Sequence, residues 1–181
     1  MTRVLIINIA MDILKQNKVK QRAVYKMSDC VRKIWYYLDI DWLDNHVKTL
    51  NKVVPGYVLN HGSGDGYMWI DIQRIAGIPA NQLQPTLENI ERVYKFCLES
   101  ISSTWPYVHG DWAPSNIIVD GDCMIMCDWD NIGQYPEHEV SEKLGLDMFE
   151  CYGSLWMLFV ETHRNMFSSD RTPMLTISAP V

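Results

Sequence analysis

Paired cysteines, long apolar runs and an excess of positive charge are all missing from this chain, and each absence removes a class of function. The five cysteines (Cys30, Cys97, Cys123, Cys127 and Cys151) are odd in number and include no C-x-x-C pair. That argues against a zinc knuckle and against a secreted disulfide framework. Reduced thiols in a cytosol are the plainer reading, so a cytoplasmic location is expected. No stretch approaches the roughly 18 apolar residues of a membrane span. The opening MTRVLIINIAMDILKQ is apolar, but its run is short, Asp12 ends it and no small-residue cleavage site follows. No membrane partner is therefore expected. A net charge of −6 argues against a nucleic-acid partner, which needs a broad basic face. A local basic patch around one phosphate stays compatible with it.

What is present suits a globular protein. Hydrophobic residues make up 48% of 181, and seven Trp with nine Tyr supply ample core material. The length fits one domain or two small lobes sharing a cleft. Residues 23–27 and 30–35 form two short runs joined by Ser28-Asp29, a hairpin pattern. Residues 41–53 place Trp42, Leu43, Val47, Leu50 and Val53 near helical spacing, and Pro55-Gly56 stops them. Residues 57–59 and 67–75 read as strands around a glycine-rich connector, HGSGDG. Residues 76–85 read as a further connector. The clearest helix is 88–102, with Ile90, Val93, Tyr94, Cys97, Leu98 and Ile101 on one face and Thr86 as its N-cap. Residues 139–167 look helical, with breaks expected at Gly145 and Gly153. Strands first and helices later predict an α+β protein. Its expected parts are a strand-rich lobe over 1–75, a mainly helical catalytic lobe over 76–167 and a loose tail over 168–181.

The chemistry concentrates in HGDWAPSNIIVDGDCMIMCDWD, residues 109–130. Two apolar runs, 117–119 and 123–127, flank Asp120-Gly121-Asp122, and Asp-Gly is a strong hairpin-turn signal. Folding that hairpin brings Asn116, before the first strand, to Asp128, after the second. An amide oxygen and a carboxylate then share one open end, and Asp111 sits on the loop that feeds it. Hard cations such as magnesium take oxygen ligands and keep part of their hydration shell, so this pair suffices beside bound phosphates. A further carboxylate can orient an attacking hydroxyl and accept its proton.

Asp111, four intervening residues and Asn116 resemble the D-x-x-x-x-N catalytic loop of the protein-kinase-like superfamily. His109-Gly110-Asp111, with Asp128-Trp129-Asp130 in place of D-F-G, is similar to the aminoglycoside phosphotransferase and choline kinase branch. The resemblance implies a shortened two-lobed kinase-like fold and transfer of phosphate from ATP, with Mg2+, to a hydroxyl acceptor, a small molecule. It implies Asp111 as catalytic base, with Asn116 and Asp128 as metal ligands. It also implies Trp129 packed behind the site and Asp147 bracing the catalytic loop. Cys30–Trp35 looks like the strand whose lysine holds the α- and β-phosphates. That lysine would be Lys33, with Lys26 as competitor. Residues 68–77 resemble the hinge strand and connector, so the cofactor-binding set becomes Lys33, Trp69 and Ile70; Trp69 suits a core position equally well.

Three departures accompany the likeness. Residues 17–25 contain no glycine where a phosphate-covering loop would lie, although Lys18, Lys20 and Arg22 could substitute charge for amides. Asp44 and His46 stand where a glutamate would meet the lysine. The resemblance covers about 23–148, and in this branch later helices build much of the acceptor pocket. That implies a homo-oligomer or a partner completing the second lobe. Two other functions are compatible with the residues. One is a regulatory module that binds nucleotide or protein without transfer. The other is a metal-dependent hydrolase built on His109, Asp111, Asp128 and Asp130.

Overall fold

The computed structural model describes residues 12–17, 22–37 and 39–167, and the chain divides into two compact units between Arg74 and Ile75. The first unit is a five-stranded antiparallel sheet with one helix. Its elements are β1 (Asp12–Asn17), β2 (Arg22–Lys26), β3 (Cys30–Trp35), α1 (Ile40–Val53), β4 (Val58–Gly64) and β5 (Tyr67–Gln73). The strand order is β1-β2-β3-β5-β4. Asp39 caps α1, its carboxylate accepting the Trp42 amide at 2.9 Å. Leu43, Val47 and Leu50 form the buried face of that helix. Trp35 of β3 meets Trp42 of α1 edge-on at 5.5 Å, which fixes the side of the sheet that α1 covers.

The expected HGSGDG connector is largely strand. His61, Gly62, Ser63 and Gly64 belong to β4, and only Asp65-Gly66 turn the chain. Cross-strand aromatic rings are the reason. Gly62 pairs with Trp69 and Gly64 with Tyr67. A Cβ at Gly62 would lie 3.0 Å from the indole, and one at Gly64 would lie 2.5 Å from the phenol ring. Glycine here makes room for a ring to lie flat over the neighbouring strand.

The second unit runs β6 (Ile78–Pro79), α2 (Leu87–Thr104), β7 (Tyr107–Val108), β8 (Ile117–Asp120), β9 (Cys123–Met126), β10 (Gly133–Gln134), α3 (Glu137–Tyr152), α4 (Ser154–Thr162) and α5 (Arg164–Phe167). Thr86 caps α2 through the Asn89 amide at 3.2 Å. Ile90, Val93, Tyr94, Cys97 and Ile101 are its buried residues. Tyr94 joins Trp156 and Phe159 of α4 in an aromatic cluster with centroid spacings of 5.4 and 6.0 Å. Gly145 does not interrupt α3, contrary to expectation. A helical glycine costs only about 1 kcal/mol, and the buried Leu144 and Met148 beside it hold the helix in place. The break falls at Gly153, whose φ of 54° is open to glycine but strained for other residues. Lys18, Lys20 and the expected tail 168–181 lie outside the described residues. Among the described residues no helix is long and apolar enough to cross a membrane.

Candidate active site

The hairpin β8–β9 organises the candidate site. Ile117 pairs with Met126 and Asp120 with Cys123, leaving Gly121-Asp122 as a two-residue turn. At the other end the Cys127 amide donates to the Asn116 carbonyl at 2.8 Å, continuing the ladder by one bond. Asn116 and Asp128 are therefore neighbours at the open end. Asp128 adopts φ 63° and ψ 49°, the one non-glycine residue at positive φ among those described. A carboxylate residue tolerates this left-handed geometry at a cost of about 1 kcal/mol, and such outliers cluster at functional sites.

The loop carrying Asp111 is built to meet that end. A 3₁₀ turn over Pro114–Asn116, closed by the Asn116 amide on the Ala113 carbonyl at 2.8 Å, folds the chain back. The Asn116 side-chain NH2 donates to the Asp111 carbonyl at 3.3 Å. With the nitrogen engaged there, Oδ1 is left as the amide's acceptor atom. The Asp111 carboxylate accepts the Ala113 amide at 3.4 Å. Asp111 is thus tied to Asn116 through its backbone, and Asn116 to the residue before Asp128.

His109 locks loop and hairpin together. Its Nε2 lies 2.8 Å from the Cys127 carbonyl, and its Nδ1 accepts the Asp111 amide at 3.3 Å. A carbonyl can only accept, so the proton sits on Nε2, and Nδ1 must be bare to receive an N–H. Both bonds together require a neutral imidazole. Burial pushes its pKa below the ordinary histidine value, and the Cys127 carbonyl with the Asp111 and Asp128 carboxylates only partly offsets this. Trp129 packs edge-on against the ring at 4.6 Å and donates its indole N–H to the Met126 carbonyl at 3.0 Å. From α3, Asp147 accepts the Trp112 amide at 2.9 Å, and Lys143 pairs with the same carboxylate. Burial raises the Asp147 pKa, while Lys143 and the Trp112 amide act to lower it.

In the first unit, Lys33 and Ile70 are direct partners across β3 and β5, so their side chains share a face. Lys33 is only 4% exposed, which excludes an ordinary solvated lysine, while Lys26 is half-buried. Trp69 alternates to the opposite face. There the Arg32 guanidinium lies 4.2 Å over its ring and makes a two-point ion pair with Asp71 at 2.6 and 2.7 Å. Trp69 is thus separated from Lys33 and Ile70 by the sheet itself. Asp44 is exposed and His46 is buried, stacked on Trp42 at 4.7 Å. Neither the Arg32–Asp71 pair nor Lys143 belongs to a sequence motif. Alternation along β3 and β5 was the available signal for the first, and the four-residue spacing to Asp147 for the second.

The donor set fits a magnesium ion. Asn116 and Asp128 offer one amide oxygen and one carboxylate, hard ligands few enough to leave room for phosphate and water. Among the described residues no three His, Cys, Asp or Glu side chains group as a metal cage, so His109, Asp111, Asp128 and Asp130 do not form one. His109 is committed to its two bonds within the loop.

No protein-family model matches the chain, and no curated protein matches it. Solved structures do match. A 2.2 Å crystal structure of WbdD aligns over 86% of this chain and 46% of that one, at 17% identity and TM-score 0.57. A medium-resolution structure of the bifunctional kinase-methyltransferase WbdD aligns over 83% and 44%, at 18% identity and TM-score 0.54. Monomeric WbdD aligns over 87% and 44%, at 18% identity and TM-score 0.59. The fold is kinase-like. The likeness is one of fold, α+β with an antiparallel sheet followed by helices, and the chain spans a little under half the length of these structures.

Proposed function

We propose that this chain is a magnesium-dependent phosphotransferase that moves the γ-phosphoryl group of ATP to a hydroxyl acceptor, in the manner of the aminoglycoside phosphotransferase and choline kinase branch. The observation that carries this reading is the bond between the Cys127 amide and the Asn116 carbonyl. It sets Asn116 beside Asp128 at the end of one hairpin, with Asp111 held to Asn116 by a second bond. Phosphoryl transfer asks a protein mainly for positioning and charge compensation, and a rigid hairpin end supplies the first.

In this reading Asn116 Oδ1 and the Asp128 carboxylate hold magnesium, which when bound neutralises charge on the phosphate oxygens. The Asp111 carboxylate orients the acceptor hydroxyl and takes its proton. The acceptor oxygen forms a bond to the γ-phosphorus, the bond to the β–γ bridging oxygen breaks, and the electron pair leaves with ADP. Lys33 is proposed as the cation for the α- and β-phosphates, and its burial supports a dedicated role. Ile70, on the same face, is the proposed apolar contact for the nucleotide base.

Thermal-shift titration of ATP tests the metal assignment. ATP with magnesium should stabilise the protein, ATP with EDTA should not, and Asp128→Ala should abolish the difference. Stabilisation by ATP that is indifferent to both magnesium and Asp128 would sink it. Magnesium-dependent stabilisation without phosphate transfer to any acceptor would favour a nucleotide-binding regulatory module.

A further inference from the structure

A small pocket of about 170 Å³ opens against the Asp111 loop, lined by Gly110, Trp112, Tyr135, Glu139, Val140 and Lys143. Gly110 and Trp112 are the residues on either side of Asp111. A ligand seated there lies against the loop that carries the proposed base. The volume suits one six-membered ring, since an apolar cavity of about 150 Å³ holds one benzene.

The lining has a definite chemistry. Trp112, Tyr135 and Val140 give apolar walls. Glu139 and Lys143 are one helical turn apart on α3, a spacing at which opposite charges ordinarily pair. They do not pair here. Lys143 turns to Asp147, and Glu139 has no cationic partner among the described residues. The Glu139 carboxylate is left to accept, while Lys143, with three N–H donors and one used by Asp147, can still donate. The indole N–H of Trp112 is buried and has no acceptor among the described residues. With almost no accessible surface, that N–H does not reach the pocket, and Trp112 contributes only ring carbons to the wall.

We infer that this pocket is the acceptor subsite and that it takes a neutral polyol of single-ring size, with Glu139 and Tyr135 setting specificity. A polyol ring presents an apolar face to aromatic walls. Its hydroxyls donate to Glu139 and accept from Lys143. The lining carries one charge of each sign, so an acidic acceptor meets Glu139 and an amine meets Lys143. This inference rests on the phosphotransfer reading and adds the acceptor class to it.

The test is a transfer assay with magnesium and labelled ATP, offering myo-inositol and ribose as neutral polyols, ethanolamine as an amine and glycerate as an acid. Magnesium-dependent ATP binding is followed on the same samples. Label should pass to a neutral polyol in preference to the other two. Glu139→Ala, an exposed helix position, should raise the KM for that polyol about ten-fold or more while the KM for ATP stays put. Tyr135→Ala should act the same way and in the same direction. Transfer confined to ethanolamine or glycerate overturns the inference, as does an unchanged polyol KM in both variants. ATP bound and turned over with no polyol labelled overturns the inference and leaves the phosphotransfer reading standing. No magnesium-dependent ATP binding and no turnover overturns both.

Discussion

The buried imidazole of His109 donates to the carbonyl of Cys127 at 2.8 Å, and this one bond joins the loop bearing Asp111 to the strand end bearing Asp128. The ring's other nitrogen accepts the Asp111 amide, so the imidazole works only in its neutral form.

A pH dependence follows from that requirement. The folded-state pKa of His109 lies below the ordinary histidine value, chiefly through burial. Between the two values the unfolded chain binds more protons than the folded one, so stability rises with pH across that window. The contribution is complete above the unfolded histidine pKa of about 6.5 and is lost as pH falls toward the folded value. Melting temperatures measured from pH 7.5 down to pH 5 should decline more steeply for the native protein than for His109→Gln. Equal slopes would mean that another group dominates.

Asp147 is predicted to support the Asp111 loop. Removing its carboxylate leaves the buried Trp112 amide without an acceptor and Lys143 without its partner. Asp147→Ala should cost about 2 kcal/mol of unfolding free energy, read by urea denaturation, while Asp147→Asn, which keeps an acceptor oxygen, costs less. Turnover should fall in the alanine variant more than ATP affinity does. Two variants of equal stability would show that the Trp112 bond contributes nothing.

Gly110 and Gly121 both sit at positive φ but should respond differently. A Cβ at Gly110 would lie 2.5 Å from the Asn131 carbonyl oxygen and 2.9 Å from the Tyr135 hydroxyl, whereas at Gly121 nothing stands within 4 Å. Gly121→Ala should therefore cost only the left-handed backbone penalty of about 1 kcal/mol. Gly110→Ala should cost more than that and also displace the loop, lowering both melting temperature and turnover. A harmless Gly110→Ala would contradict the packing described around it.

How far these relationships could be read in advance depended on their range. The β8–β9 hairpin was legible because an Asp-Gly turn at Gly121 sits between two short apolar runs, and the α2 face was legible because one stripe repeats at helical spacing. The kinase-like α+β fold followed from the order of strands and helices together with the catalytic-loop motif. What depended on cross-strand neighbours was hidden. Gly62 and Gly64 suggest a flexible connector until Trp69 and Tyr67 are known to lie opposite them. Trp69 and Ile70 looked like one set in the chain, but adjacent residues of a strand face opposite ways, so only Ile70 shares the face of Lys33. Gly145 looked like a break because its propensity was visible and the burial of Leu144 and Met148 was not. The pairing of Lys143 with Asp147 rather than Glu139 was undecidable from spacing, since both lie four residues away.

The central claim is that the Asp111 carboxylate is the base at a hairpin end that Asn116 and Asp128 prepare for magnesium. Rapid-quench measurement of phosphate transfer by Asp111→Asn, alongside ATP binding to the same protein, tests it most directly. The substitution is nearly isosteric, so transfer should fall about 10²- to 10⁴-fold while magnesium-dependent ATP affinity changes little. Transfer at the native rate in Asp111→Asn would contradict the account.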